Sequence, residues 1–486
     1  MKTERIQEPQ REVDVVEQAD VVVIGSGPGG LTAAVAAARQ GAKTVIVERY
    51  GVFGGLATTC LMGPLFGYAP LGGYSAKKGK QRKEQYIYGD AHAMPILDGL
   101  PVEIVRRLQK IGGAPDNGKI DWKSVRFDPE LFKFVCDDMV TEAKVIPYLH
   151  SYCVNAVVRD GKIKAIVVES KSGRQAIKGK IFIDATGDGD VAFFSGCSYN
   201  KGRPADGATQ SFGSRFRIGG VRKRTAAEKE KCLKLCGKAI AEKKIRAFAA
   251  IDFSEQGSTV RESEISPDIT RCRGDGTNVK DLIAAEIQVR KDTYEMFRFL
   301  KAKAPGFESS YLIDTPFTIG VRETRQIEGL YKLTNDDVNH GRKFPERTIA
   351  RGCWYLDIHC PLGRLTSGAG KFAPLCSLEC EINPPCFMKL KHKEQLIPYL
   401  RLPDNDYYDI PYDCLVSKDI GNLLISGRCI SATHGAMSSL RVIGTCFAIG
   451  EGAGVAGALC AQAAVKPAAL DAGKLQKALK ESGVPL

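Results

Sequence analysis

Residues 20–55 read DVVVIGSGPGGLTAAVAAARQGAKTVIVERYGVFGG. The apolar run Val21–Ile24 predicts a buried strand that feeds into Gly25, Ser26, Gly27, Pro28, Gly29 and Gly30. An alanine-rich stretch then predicts a helix, and Thr44–Val47 a second strand ending in Glu48. Strand, glycine loop, helix and strand in that order form the βαβ unit that holds a dinucleotide. Gly25 allows the tight turn, Gly27 lets a pyrophosphate approach the backbone, and Gly30 lets the helix pack on the strand. The helix N-terminus offers the phosphates free N–H groups and a positive dipole end. Glu48 lies 18 residues after Gly30, where a carboxylate accepts hydrogen bonds from the adenosine ribose. The same acid repels a 2′-phosphate, so FAD or NAD(H) is expected rather than NADP(H).

Composition bounds the rest. The 486 residues carry a length prior of about two or three domains. The first 18 residues, MKTERIQEPQREVDVVEQ, read as a polar lead-in without the apolar centre of a signal peptide. The longest apolar tract, Gly444–Val465, contains Glu451 and many glycines and alanines, which suits a buried helix better than a membrane span. A cytoplasmic chain without a membrane span is the expectation. Sixteen scattered cysteines with no CxxC fit reduced thiols in a cytosol and argue against a dithiol redox centre. A denser group, Cys353, Cys360, Cys376, Cys380 and Cys386, matches no standard ligand spacing. An iron–sulfur or zinc site and a loop of free thiols both stay open there, and no metal ligand is assigned. Net charge is +13, with basic clusters at Lys77–Lys83 and Arg222–Lys244. Without aromatic interleaving these read as a solvated loop and helix face, and nucleic acid is disfavoured as a partner.

Further along, helices are predicted at Pro101–Ile111 and from about Asp128 to Ala143, with Asp128 as N-cap. Val145–Val168 reads as short strands turning at Asp160-Gly161. The strand Lys180–Asp184 ends in Ala185-Thr186-Gly187-Asp188-Gly189-Asp190. Strands are also predicted at Gln210–Ile218, Phe317–Val321, Ile327–Leu333 and Asn422–Ser426, and helices at Thr225–Lys244 and Leu282–Ala304. The last strand runs into Gly427-Arg428, and a long Ala/Gly helix closes the domain.

Four segments thus stand in order: GSGPGG, ER-x(4)-GG (Glu48, Arg49, Gly54, Gly55), IDATGDGD and NLLISGR with its helix. Together they resemble the FAD-dependent oxidoreductases of the glutathione-reductase-like superfamily with two dinucleotide-binding motifs. VERYGVFGG, IDATGDGDVA, RETRQIEG, LDIH and GRCISATHGAMSSLRVIGTC are more closely similar to the branch known simply as the FAD-dependent oxidoreductase family. The resemblance spans nearly the whole chain. It is specific for FAD and unspecific for substrate.

It implies an α/β fold: a discontinuous Rossmann-like FAD-binding domain (19–70, 140–207 and 411–466) with an inserted α+β substrate or cap domain (71–139 and 208–410). Gly25, Gly27, Pro28, Gly29 and Gly30 would hold the pyrophosphate, Glu48 the ribose, and Arg49, Gly54 and Gly55 would continue that site. Cys153 or Val154 would touch adenine through the backbone. Gly187 and Asp190 would lie at the carboxyl edge of the sheet, where such folds bind ligands. Gly427 and Arg428 would follow the ribityl–phosphate chain. Many relatives carry Asp at the position of Arg428, where Arg pairs bidentately with phosphate. The helix around Gly444 and Thr445 would aim its N-terminus at the flavin pyrimidine edge, beside Arg441.

A flavin supplies the redox step, so the protein must place a substrate C–H and manage one proton. His434, six residues after Arg428, and His359, two residues after Asp357, are the candidates among six histidines. Arg322, in Arg322-Glu323-Thr324-Arg325, is a candidate substrate anchor, with an internal ion-pair network as the other reading of that cluster. The expected function is FAD-dependent hydride transfer to or from a small polar organic molecule. The alternatives are an electron-transfer subunit with an iron–sulfur cluster and a tRNA-modifying flavoprotein. An external electron carrier and the oligomeric state stay open.

Overall fold

The computed structural model describes residues 6–70, 95–116, 120–204, 206–247, 259–359 and 406–486, with the single positions 4, 361 and 402. Strands β1 (Asp14–Ile24) and β2 (Thr44–Val47) flank helix α1 (Pro28–Arg39). Strands β3 (Ile146–Tyr148), β4 (Tyr152–Arg159), β5 (Lys162–Ser170) and β6 (Gly173–Asp184) follow. The sheet runs β3-β2-β1-β6-β5-β4. The first four strands are parallel, and β5 and β4 return antiparallel. Asp160 and Gly161, at φ +53° and +65°, make the β4–β5 turn.

One edge of β6 serves two partners. Its first half pairs with β5, and Phe182–Asp184 pairs in parallel with the late strand Leu423–Ile425. Ile24 stands opposite both Val47 and Asp184, and Ile425 opposite Asp184, so these strands end in line. That shared carboxyl edge carries the site. The helix Ile443–Ala463 crosses α1 at contact distance. A Cβ on Gly450 would sit 2.2 Å from the Gly29 carbonyl oxygen, and one on Gly454 2.2 Å from that of Ala33. Thr32 Oγ1 bonds the Phe447 carbonyl at 2.7 Å across this contact. The helix is long and apolar enough to cross a membrane, and 94% of its apolar window is buried inside the protein.

The structure corrects several boundaries. Residues 14–18 belong to β1, paired with β6 from Asp14 opposite Gln175, and so are not part of a polar lead-in. Helices Leu100–Lys110 and Pro129–Glu142 bury Val105, Leu108, Phe132 and Met139 in the same core as the central sheet. The reading of 71–139 as cap therefore fails for both: their apolar faces meet α1 and the Ile443–Ala463 helix. Two separate cores, one around Phe216, Met296 and Phe307 and one around Phe212, Val289 and Ile319, confine the cap to roughly residues 212–321. Its long helix is Val279–Lys303.

Of the predicted strands there, only Arg217–Gly219 and Arg325–Ile327 form, with isolated bridges such as Phe212–Cys272 and Gly213–Gly320 around them. These segments bond side chains around a cavity instead of a ladder. The basic helix Ala226–Ala241 interleaves its charges as ion pairs, Lys234 with Glu230 at 2.8 Å and Lys238 with Glu242 at 3.8 Å. The cluster Lys77–Lys83 and residues Cys360, Cys376, Cys380 and Cys386 lie outside the described residues.

Candidate functional site

A cavity of about 480 Å³ opens along the carboxyl edge of the sheet and runs under the cap. Its first end is built from backbone. Gly25 has φ +95°, and a Cβ there would lie 2.3 Å from the Ala185 carbonyl oxygen. A Cβ on Gly30 would lie 1.8 Å from the Gly25 carbonyl oxygen. Both are spent on closing strand against helix. Gly27 differs: the nearest atom to its Cβ position is Gly55 Cα at 4.0 Å, and the residue faces the cavity with Pro28 and Gly29. The loop thus leaves an open cradle at the N-terminus of a 12-residue helix, the shape and polarity a pyrophosphate needs.

Glu48 is 6% exposed on the cavity wall. Ser26 N (2.8 Å) and Ser26 Oγ (2.7 Å) donate to its Oε2, and Tyr50 N donates to Oε1 at 3.0 Å. Three local donors fix the carboxylate plane and leave lone pairs for a diol. Arg49 lines the same wall, its guanidinium 4.8 Å above the Tyr50 ring. Gly55 lies flat against Gly27, while Gly54 turns behind the wall and donates to the Ser26 carbonyl at 2.9 Å. Cys153 lines the cavity and Val154 does not. Val154 falls where the β4–β5 register slips, which turns it out of step with its neighbours.

The middle of the cavity is a knot of charges. Asp184 accepts from Thr186 N, Thr186 Oγ1 and Ala192 N at 3.1, 2.7 and 2.9 Å, which shapes the turn that presents Gly187 and Asp190. Arg428 Nη2 bonds Asp188 Oδ1 at 2.5 Å and its Nη1 bonds Thr324 Oγ1 at 3.1 Å. Arg325 pairs with Asp190 at 3.0 Å. Burial, with Asp188 and Asp184 nearby, pushes the Asp190 carboxyl up to about 6. Gly427 and Arg428 line the wall, and the Arg428 guanidinium is engaged with protein groups.

The far end holds Arg215, Asp268, Arg322, Asp357, His359 and Arg441. Arg322 Nη1 donates to the Ser211 carbonyl at 2.7 Å, and Nη2 stands 3.7 Å from Asp268. Arg271 also bonds Asp268, at 2.6 Å. Arg441 donates to the Asp357 carbonyl at 3.0 Å, and His359 Nε2 lies 3.3 Å from Asp357 Oδ1. Burial, with Arg271 beside it, pulls the Arg322 guanidinium down to about 9. Burial and then the Arg322 charge hold His359 at about 3, so its ring is neutral near pH 7. Burial raises Asp268, but Arg271, Arg215 and Arg322 outweigh it and hold that carboxylate well below its usual range.

Four residues assigned to the site or its edge from sequence sit elsewhere, beyond Gly54 and Val154. Gly30 is packed on Gly25. Gly444 faces the Phe66 carbonyl, 2.6 Å from its Cβ position, and Thr445 packs against Gly67; Val442, Ile443 and Cys446 take the cavity wall instead. His434 is a correction: it is buried off the cavity, its Nδ1 2.7 Å from Glu323 Oε1. The cluster 322–325 divides between an internal network and the cavity wall. Glu323, Thr324 and Arg325 form the internal network, and Arg322 points into the cavity. Arg215 and Asp268 carry no motif and escaped the sequence reading. Among the described residues no group of three or more His, Cys, Asp or Glu forms a metal site, and Cys353 is a buried thiol bonded to the Gly67 carbonyl.

A thiamine thiazole synthase from Pyrobaculum aerophilum is 32% identical over 129 residues, covering 25% of this chain and 44% of that protein. A mitochondrial dihydrolipoyl dehydrogenase from Caenorhabditis elegans is 56% identical over 45 residues, 9% of this chain and 8% of that one. The chain thus spans less than half the length of the curated relatives it matches. Among solved structures, a geranylgeranyl bacteriochlorophyll reductase-like protein from Thermoplasma acidophilum aligns with 96% of this chain and 82% of its own at 12% identity and TM-score 0.37. The flavin-dependent brominase Bmp2 aligns with 96% and 84% at 12% identity and TM-score 0.41. The family model described as FAD dependent oxidoreductase matches residues 20–479, so the chain belongs to the FAD-dependent oxidoreductase family, an enzyme family whose cofactor is FAD.

Proposed function

We propose that this enzyme moves a hydride between FAD and a small polar organic substrate held between the flavin and the Arg322–His359 end of the cavity. The observation that carries the reading is the single continuous cavity joining the glycine cradle at Gly27 to the buried Arg–Asp–His group. FAD, when bound, supplies the two-electron redox chemistry. The chain supplies the rest. Gly25, Gly27, Pro28 and Gly29 with the α1 N-terminus would hold the pyrophosphate, and Glu48 the adenosine ribose. Cys153 would lie beside adenine, and Gly427 along the ribityl stretch. Arg428, bound to Asp188, would shape that wall. The N-terminus of Ile443–Ala463 would favour negative charge at the pyrimidine edge.

On the substrate side Arg322 and Arg441 would orient the molecule. His359, held neutral, would accept the proton of a hydroxyl or amine as hydride departs. A bound anion facing Arg322 would offset the Arg322 share of the depression of His359, burial being the larger cause, and so make it a stronger base. The glutathione-reductase-like superfamily is the broader placement we favour, supported by the four ordered motifs meeting at one sheet edge. A cytoplasmic setting and an external electron carrier complete the reading. Every described cysteine is free and buried, which suits a reducing compartment.

The test is the visible spectrum of the purified protein with identification of the released chromophore. Anaerobic bleaching by a panel of small hydroxy acids, amino acids and polyols follows. FAD release with bleaching by one class supports the reading; a colourless chain that cannot be loaded with FAD sinks it.

A further inference from the structure

The apolar cores of the cap and of the dinucleotide domain are separate. The clusters around Phe216 and Phe212 do not join the large cluster around the sheet. Units packed that way move relative to one another unless polar contacts fix them. Some contacts across the seam are single hydrogen bonds, such as Phe317 N to the Thr59 carbonyl at 3.2 Å and Tyr50 Oη to Thr318 Oγ1 at 3.3 Å. The contact at Asp128 is of another kind.

Asp128 caps the helix Pro129–Glu142, its Oδ1 accepting from Glu130 N at 2.8 Å. Its side chain is fully buried, and two arginines of the cap meet it there. Arg261 Nη2 stands 2.5 Å from Oδ2, an ion pair rather than an aligned hydrogen bond, and Arg217 Nη1 stands 3.9 Å from Oδ1. Asp314, within the cap, holds Arg217 Nε at 3.0 Å and also Nη2, so the fork is fixed with Nη1 toward Asp128. Glu264 is a second acid on Arg261, at 3.5 Å. A helix cap needs one acceptor oxygen, which asparagine supplies as well. The charge and the second oxygen of Asp128 are spent on the cap.

The two arginines sit on segments bonded to each other. Ile218 and Ile265 exchange backbone hydrogen bonds at 2.9 and 3.0 Å, and Val221 N donates to the Ser263 carbonyl at 3.0 Å. Arg215 stands two residues before Arg217, and Asp268 follows Arg261 along its segment. Both Arg215 and Asp268 line the far end of the cavity. Phe216, between the two arginines, is buried in the cap core, so Arg215 and Arg217 leave the chain on the other side together. Arg215 Nη1 donates to the Ser266 carbonyl at 2.7 Å, which ties the same two segments again at the cavity wall. Asp128 thus grips one end of a short paired unit whose other end is the chamber wall.

We infer that Asp128 is a positioning residue: through Arg217 and Arg261 it sets where Arg215 and Asp268 stand over the FAD site. This rests on the proposed reading of that end as the substrate's, while the clasp itself stands on distances and burial. The test is hydrogen–deuterium exchange of the full-length FAD-loaded protein, comparing residues 215–221 and 261–268 with residues 20–47. Asp128→Asn keeps the capping oxygen and removes the charge. It is expected to speed exchange in the two cap segments about tenfold and to leave 20–47 unchanged. Arg261→Gln, at a half-exposed side chain, is expected to give about threefold. The double variant should exchange no faster than Asp128→Asn, because both changes break one contact. The visible circular dichroism of bound FAD should change in Asp128→Asn as the chamber charges shift.

Exchange that is unmoved, or raised equally in cap and sheet, overturns the inference. So do additive effects of the two substitutions or an unchanged flavin signal. Should Asp128→Asn not fold, Arg261→Gln decides by the same two readouts. A chain that takes up no FAD but shows exchange confined to the cap keeps the clasp and removes the flavin reading. A flavin-bearing chain whose cap ignores both substitutions does the reverse.

Discussion

The two ends of one cavity are built on opposite principles. The nucleotide end is made largely of backbone, from the 25–55 stretch and the strand ends at Cys153, Gly187 and Gly427, with Glu48 held by donors no more than 22 residues away. The far end is made of charged side chains brought from Arg215, Asp268, Arg322, Asp357 and Arg441, which no local pattern connects. Recognition by backbone demands glycine at set spacing, because a Cβ would occupy the ligand's space or the helix contact. Recognition by charge demands only that distant segments meet. The first tolerates almost no change of shape, and the second almost no change of charge.

The sharpest way to break the contrast lies in the glycine loop. Gly30→Ala places a Cβ 1.8 Å from a backbone oxygen that cannot move away, so folded, flavin-bearing protein should be lost. Gly27→Ala meets only Gly55 Cα, at an unstrained 4.0 Å. It should fold with the parent's melting temperature while binding FAD at least tenfold more weakly. Equal behaviour of the two variants in flavin content and melting would dissolve the distinction between closing and cradling glycines.

Next comes the knot between the two ends. Arg428→Gln leaves Asp188 buried without its cation, and chemical denaturation should show a loss of about 3 kcal/mol. A neutral effect would mean that Asp188 is served by Thr324 alone.

Away from the cavity, one buried acid beside the start of the Leu100–Lys110 helix should respond to pH. Glu451, 3% exposed, accepts from Leu100 N at 3.0 Å, and burial pushes its carboxyl up to about 8. Its folded-state pKa is above the unfolded one. The stability it contributes as a neutral acid is therefore present below about pH 4.5 and lost as pH rises through about 8. Glu451→Gln keeps an acceptor without the charge. It should gain on the parent between pH 5 and 9, by on the order of 2 kcal/mol in thermal or denaturant melts. A pH-independent gap would assign Glu451 an ordinary packing role.

The smallest expected effect is one of titration. In Arg322→Gln, His359 should titrate well above about 3, toward its ordinary 6.5, when followed by NMR of labelled histidine. An unmoved His359 would show that burial alone depresses it.

The same contrast explains what was legible before the structure. The loop at Gly25–Gly30, Glu48 and the strand ends at Asp184 and Ile425 declare themselves because each role is local and each residue type is forced by sterics. His359 was within reach because it shares a strand-like stretch with Asp357. His434 was misplaced: nearness in sequence to Arg428 says nothing about which way a helix turns its first residue, and here that residue turns to Glu323. Gly444 and Thr445 missed the wall by a fraction of a helical turn, the spacing that separates them from Ile443 and Cys446. The cap boundary was misjudged because helices Leu100–Lys110 and Pro129–Glu142 lie outside the βαβ pattern yet carry apolar faces that only the sheet's own helices can cover.

By itself the sequence determined the glycine loop, the placement of Glu48 at the end of the second strand beside it, the family and hence FAD. Those properties follow from short-range sterics and hydrogen bonding that a run of about 36 residues contains in full. Only the tertiary structure decided the charge at the far end of the cavity. It sums contributions from segments separated by more than two hundred residues, and their distances and burial exist only once the cap has closed over the sheet.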